Sequence, residues 1–126
     1  MQKVTGVGGV FFKARDPQAL MDWYDQHLGL KFQHGFIELK WADEAGNKVP
    51  GSTTVAIFKE DTPHFKPSEK PFMINFRVAD LRALLTELRE KGVTILGDIE
   101  EYDFGRFGRI LDPEGNKIEL WEPVND

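Results

Sequence analysis

Residues able to do chemistry are few in this chain, and their spacing first excludes. There are three histidines, His27, His34 and His64, and no cysteine. Lacking thiols, the chain forms no disulfide, thiolate metal site or cysteine nucleophile. No histidine has a second ligand of a recognised kind at i+2, i+3 or i+4. His27 and His34 read as surface residues, whereas His64 falls in a connecting loop from which it could reach a pocket. Ser52 and Ser68 have no nearby His–Asp partners. Gly6-Val7-Gly8-Gly9 precedes a strand rather than following one, so it is no dinucleotide fingerprint. Gly105-Arg106-Phe107-Gly108 lacks the lysine and following helix of a phosphate loop, and reads as a strand start that needs small residues. What remains lies at alternating positions, which share one face of a strand. Met73, Asn75 and Arg77 form one such set, Phe11 and Lys13 a second, and Glu119 and Trp121 a third. Among them Arg77 is the best anchor for an anionic or carbonyl-bearing ligand, because its planar fork donates two parallel hydrogen bonds.

The elements that must position these residues occur twice. Residues 9–24 (GVFFKARDPQALMDWY) align without a gap on residues 73–88 (MINFRVADLRALLTEL) at an offset of 64. Residues 43–48 (DEAGNK) echo residues 112–117 (DPEGNK) at an offset of 69. A duplicated unit tends to place its active surface where the copies meet. In each copy an alternating strand, 9–14 or 73–78, is followed by an aspartate, Asp16 or Asp80, able to cap a helix. Pro17 suits a first helical position. The pattern predicts helices over 17–27 and 81–91, ended by Gly29 and Gly92. Leu81, Leu84, Leu85 and Leu88 keep the spacing of one buried helix face, and so do Leu20, Tyr24 and Leu28. Strands are expected at 30–34, 36–42 and 53–59, then at 94–98, 105–111 and 116–122. Asp43–Asn47 and Asp112–Asn116 read as tight turns. The expected fold is therefore α+β, with two tandem β-α-β-β-β units, about 1–60 and 72–126, in one domain. The proline-rich stretch 60–71 connects them.

Composition narrows the setting. With 40% apolar and 29% charged residues the chain is not of disordered type. No apolar run approaches the roughly 20 residues of a membrane helix, so no membrane partner is expected. A signal-like apolar start is lacking, which makes the cytoplasm the expected location. The net charge of −5 argues against nucleic acid as a partner.

The segments DPQALMDWYDQHLGL (16–30) and DPEGNKIELW (112–121), together with the repeat, resemble the vicinal oxygen chelate superfamily. That group includes glyoxalase I, bleomycin-resistance and fosfomycin-resistance proteins, and extradiol dioxygenases. The resemblance implies a curved mixed sheet with helices on its convex side and a pocket in its concave side. It also implies a divalent metal held by His and Glu side chains on the first and last strands of each unit. Those positions fall here on Gly9, Met73, near Ala56, and on Glu119. Glycine, methionine and alanine are not ligands for a hard divalent ion. The expected reading is a cofactor-free and metal-free, bleomycin-resistance-like protein. It binds a small molecule in a concave pocket lined by Phe11, Lys13, Met73, Asn75, Arg77, Glu119 and Trp121. The alternative is a glyoxalase-like enzyme of lyase, isomerase or dioxygenase type, with a non-standard metal site that includes Glu119. Within the pocket, Arg77 and Glu119 are also candidates for an ion pair, and Trp121 for core or interface packing. Trp23 and Tyr24 are expected in the core. The resemblance further implies a homodimer, for which Trp121, Phe107 and Trp41 are candidate anchors; Trp41, Phe104 and Phe107 are candidates for the pocket rim.

Overall fold

The computed structural model describes residues 3–124. Its elements are β1 (Val4–Ala14), α1 (Pro17–Leu28), β2 (Phe36–Ala42), β3 (Lys48–Lys59), β4 (Phe72–Val78), α2 (Leu81–Glu90), β5 (Glu100–Tyr102), β6 (Gly105–Leu111) and β7 (Lys117–Pro123). One seven-stranded mixed sheet runs in the order β2-β3-β1-β4-β7-β6-β5. The architecture is the α+β class that the sequence pattern predicts.

Local chemistry accounts for the helices. The Asp16 carboxylate accepts from the Ala19 amide at 3.0 Å, and the Asp80 carboxylate from the Ala83 amide at 3.1 Å. Each satisfies an amide that a helix start leaves without a partner. After α2, Gly92 takes the left-handed conformation, with φ 82°. Its amide donates to Arg89 O and that of Val93 to Leu88 O, the paired bonds that close a helix through a glycine. The two turns are also built alike. Asp43 Oδ1 accepts from the amides of Ala45 and Asn47, and Asp112 Oδ1 from those of Glu114 and Asn116.

The copies join through their first strands. β1 and β4 are antiparallel, with Gly9 opposite Asn75, Val10 opposite Ile74 and Phe11 opposite Met73. The offset of 64 carries Gly9 to Met73 and Phe11 to Asn75. The pairs Gly9–Asn75 and Phe11–Met73 are thus one pair seen from either copy, and a local two-fold axis passes between Val10 and Ile74. Outside this pair, β3 runs parallel to β1 with Ala56 beside Phe11, and β7 runs parallel to β4 with Glu119 beside Asn75. Ala56 and Glu119 are therefore equivalent positions.

Two expected strands do not form. Instead of a strand at 30–34, the chain makes a single bridge, Gln33 to Phe36, around His34 (φ 57°) and Gly35 (φ 88°). Two successive positive φ angles turn the backbone and cannot extend a strand. In place of a strand at 94–98, Ile95 bridges Ile110, Gly97 (φ 71°) bends the chain away, and the ladder resumes as β5. The first half thus adds two strands after its helix and the second half three.

Even-numbered residues of the central strands face the helices. Val78 and Leu120 form a buried core with Leu81 and Leu85 of α2, ringed by Phe76, Ile110 and Ile118. α1 is covered less: none of its residues is fully buried. Tyr24 meets Phe12 edge-on, but Trp23 remains 49% exposed and Leu28 59% exposed. Trp23 is thus not a core residue. It lies off the Leu20–Tyr24–Leu28 stripe and stacks on His27, one turn along the same helix, at 4.6 Å.

Removing the fully buried Leu81 side chain as Leu81→Ala is expected to cost about 2–5 kcal/mol in urea unfolding. The cap substitution Asp80→Ala is expected to cost about 1 kcal/mol. Equal losses from the two would show that α2 is not held mainly by its apolar face.

Candidate functional site

Odd-numbered residues of β4, β6 and β7, with Phe11 of β1 and the even-numbered Thr54, Ala56 and Phe58 of β3, build the concave face. At its centre, Glu119 of β7 is only 4% exposed. Both carboxylate oxygens are engaged. Asn75 Nδ2 donates to Oε1 at 2.8 Å, while Arg109 Nε and Nη2 donate to Oε2 at 3.1 and 2.9 Å. Strand register makes the arrangement: Glu119 lies beside Asn75 across the parallel pair and opposite Arg109 in the β6–β7 hairpin. The third nitrogen of Arg109, Nη1, donates to Glu100 at 2.5 Å. Burial by itself would lower the Arg109 pKa, but bonds to Glu100 and Glu119 outweigh it and raise the value. In turn Arg109 holds the Glu100 carboxyl below the usual carboxylate range.

The bonded cation of Glu119 is therefore Arg109, not Arg77. Arg77 is 3% exposed and sits between two indoles, its guanidinium carbon 5.1 Å from the Trp41 ring and 4.9 Å from the Trp121 ring. Desolvated cation–π contacts of this kind contribute up to about 2 kcal/mol each. Trp41 is fixed in turn by an Nε1–H bond to Thr53 Oγ1 at 2.8 Å. Gly8 is needed for this packing. A Cβ there would collide with Asn75 Oδ1 and come within 3.0 Å of Arg77 Cγ. The glycine run that resembled a nucleotide motif thus lets two buried polar side chains lie against β1.

Three adjoining depressions open on this face. An apolar trough of about 400 Å³ is walled by Phe11, Phe36, Phe58, Tyr102, Phe104 and Phe107, with Arg109 and Glu119 in its floor and His64 at one end. Phe36 and Tyr102 come from the two edge strands, β2 and β5, and both line the trough. A polar cleft of about 520 Å³ adjoins the trough at Phe104 and holds Arg77, Trp121, Glu38, Lys40 and Ser52. At the other end, a mouth of about 490 Å³ is bordered by Thr62, His64, Glu100, Arg109 and Lys117.

The residues singled out by alternation fall into groups. Phe11 and Glu119 line the trough, and Arg77 and Trp121 line the cleft. Asn75 lies beneath, 2% exposed, and joins the floor through Glu119. Asn75, Arg77 and Glu119 share a face but not a cavity. Met73 is fully buried and lines none of the three depressions. Lys13 stands apart, with its ammonium 5.5 Å from the Phe65 ring. Trp41 and Phe107 are not free anchors: Trp41 covers Arg77, and Phe107 stacks on Trp121 at 5.8 Å. Sequence reasoning missed Arg109, Lys117, Phe58 and Tyr102. The signal for Arg109 was present, since the turn 112–116 places it directly across from Glu119.

A divalent ion does not fit this site. The only carboxylate at the implied ligand positions, Glu119, already has both oxygens bonded by protein donors, and its equivalent in the first copy is Ala56. Among the described residues, no three His, Asp or Glu side chains come together as a metal-binding group. In the described part of the chain no helix is long and apolar enough to cross a membrane.

Comparison with known proteins agrees with this architecture. Residues 8–120 match the model of the Glyoxalase/Bleomycin resistance protein/Dioxygenase superfamily, and the chain belongs to that family. No curated protein matches the chain. Among solved structures, methylmalonyl-CoA epimerase from Mycobacterium tuberculosis is similar at 24% identity, with a TM-score of 0.64 over 98% of this chain and 91% of that one. A Streptomyces coelicolor methylmalonyl-CoA epimerase in complex with 2-nitronate-propionyl-CoA gives 21% identity, a TM-score of 0.68, and coverage of 96% and 99%. A superfamily member from Vibrio splendidus gives 11% identity, a TM-score of 0.60, and coverage of 92% and 97%. At these identities the likeness is one of fold.

The central pair is open to a direct check. Arg109→Ala should destabilise by about 3–5 kcal/mol, because it leaves the buried Glu119 carboxylate without its cation, and Glu119→Ala by less, because Arg109 keeps Glu100. The double variant should lose clearly less than the sum. Additive losses in urea unfolding would mean that the two side chains act independently.

Proposed function

We propose that this chain is a metal-independent small-molecule binding protein, similar to the bleomycin-resistance branch of its family. Its ligand is taken into the aromatic trough and the adjoining Arg77 cleft. One observation carries the reading: where the family's metal ligands would stand, Glu119 is committed to Arg109 and Asn75 beside Gly9, Ala56 and Met73. The alternative, an enzyme with a non-standard metal site including Glu119, would have to break that network to free the carboxylate. A trough with ring-lined walls and few polar groups suits a flat, largely apolar ligand, since the rings supply contact area and the polar groups set orientation. Phe11, Glu119, Arg77 and Trp121 are the proposed ligand-facing set, with Asn75 supporting them from beneath.

We also place the protein as a homodimer whose chains each form one domain from two repeats. Support comes from Trp23 and Leu28, large apolar side chains that α1 leaves half or more exposed. Scattered exposed apolar residues are ordinary, but two on one sparsely covered helix suit a two-fold contact.

Calorimetric titration with zinc, nickel or manganese should show no micromolar one-to-one site. A tight site abolished by Glu119→Ala would overturn the metal-independent reading. For the oligomer, light scattering at micromolar concentration should give twice the chain mass, and a mass near 14.4 kDa would refute the dimer.

A further inference from the structure

The polar cleft holds two side chains, from opposite ends of the sheet, whose polar groups the fold does not use. Ser52 comes from β3 and is only 7% exposed. Its hydroxyl makes no hydrogen bond among the described residues. Buried hydroxyls ordinarily have a partner, so this one is available to a ligand. Asp103 comes from the turn between β5 and β6, beside Phe104. Its carboxylate makes no ion pair or hydrogen bond among the described residues. The other carboxylate of the cleft, Glu38, is already paired with Lys40 at 2.7 Å.

Both positions are built into the fold. Gly51 has φ 118°, and a Cβ there would collide with the Trp41 ring. Ser52 therefore enters the cleft next to the indole that covers Arg77, and the buried guanidinium adds positive charge on that side. Across the cleft, Gly105 lets the Asp103 turn lie against Trp121, since a Cβ there would come within 2.5 Å of the indole nitrogen. The Val124 amide donates to the Phe104 carbonyl at 3.4 Å and ties the same turn to the end of β7. Phe104 borders both the cleft and the trough. A ligand lying over Phe104 thus has its ring among the trough phenylalanines and its polar end between Ser52 and Asp103. Among the described residues of the cleft, Arg77 and Lys40 balance Glu38 and Asp103, a setting for a zwitterion rather than for a net charge.

We infer that the cleft takes the ammonium and carboxylate of an aromatic α-amino acid whose ring lies in the trough. This rests on the proposed binding function and adds a ligand class to it. The ligand carboxylate accepts from the Ser52 hydroxyl, in the positive field of Arg77. The ligand ammonium donates to Asp103. In such a ligand both charged groups sit on one carbon and the ring is one methylene away, which suits the step from cleft to trough at Phe104. An aryl acid without the amine meets Asp103 as a like charge, and an aryl amine without the acid leaves Ser52 unbonded. No covalent bond is made or broken.

Three probes with one ring test this: L-phenylalanine, 3-phenylpropionate, which lacks the amine, and 2-phenylethylamine, which lacks the carboxylate. Indole serves as an uncharged ring. In calorimetric titration of the full chain near neutral pH, phenylalanine should bind about tenfold or more tighter than either analogue. Asp103→Asn should weaken phenylalanine and phenylethylamine about tenfold and leave phenylpropionate no weaker. Ser52→Ala should weaken phenylalanine and phenylpropionate and spare phenylethylamine. Circular dichroism checks that each variant is folded. Phenylalanine binding no tighter than phenylpropionate, or binding indifferent to both substitutions, would overturn the amino-acid assignment and leave the pocket standing. So would binding of indole without any of the three charged probes. Failure of all four to bind the wild-type chain would remove the pocket reading and this inference with it.

Discussion

A carboxylate buried in the middle of a sheet dictates much of this structure. Taking Glu119 out of water costs several kcal/mol unless its oxygens find donors. The chain supplies them from both flanks, Asn75 on β4 and Arg109 on β6, so three neighbouring strands must hold one register. A slip of one residue along β7 would turn Glu119 toward the leucines of α2 and bring Leu120 to the concave side. Arg109 carries the constraint one strand further, since its Nη1 is satisfied by Glu100 on β5. The network thus orders the second half of the sheet out to its edge.

The first half faces no such demand, and the two copies have diverged accordingly. Around the local two-fold axis, Ala56 stands where Glu119 stands. Phe58, beside Lys13, stands where Trp121 stands beside Arg77. The small side chain of Ala56 leaves room, and Phe11, Phe36 and Phe58 wall it. One copy therefore supplies a polar, register-locked floor and the other a yielding aromatic wall. The trough exists because both occur on one curled sheet.

What could be read from the chain alone follows the range of the interactions involved. The repeat, the aspartate caps, the Asp–Gly–Asn turns and the buried face of α2 are set within a few residues, and the structure has them where the pattern puts them; the α1 stripe is covered only in part, with Leu28 left exposed. Alternation also assigns faces correctly: Met73, Asn75 and Arg77 do oppose Ile74, Phe76 and Val78. It does not assign depth, which is why Met73 is sealed beneath the face and Lys13 lies outside the cavities. The missing strand at 30–34 depends on the backbone angles of His34 and Gly35, which no hydrophobic pattern reports. Arg109 lies between these cases. It is ten residues from Glu119, but the tight turn makes that a direct cross-strand pair, so hairpin register would have identified the partner that face alternation gave to Arg77.

In the proposed reading, the Glu119–Arg109–Glu100 chain has a consequence for chemistry. The guanidinium places a permanent positive charge between two carboxylates, close to where the family fold would set an ion. A metal there offers vacant coordination positions and departs when its ligands are protonated or chelated. Arg109 stays charged across the working pH range and spends three of its five N–H groups, one on each nitrogen, on the two carboxylates. It can stabilise a nearby anion through its field, and any direct bond to one falls to the second N–H of Nη1 or Nη2. Recognition in the trough then falls to ring contact and to the groups at its two ends, Arg77 in its tryptophan sandwich and His64 on the connecting loop. The floor sets the electrostatic background, and the ends determine what is bound.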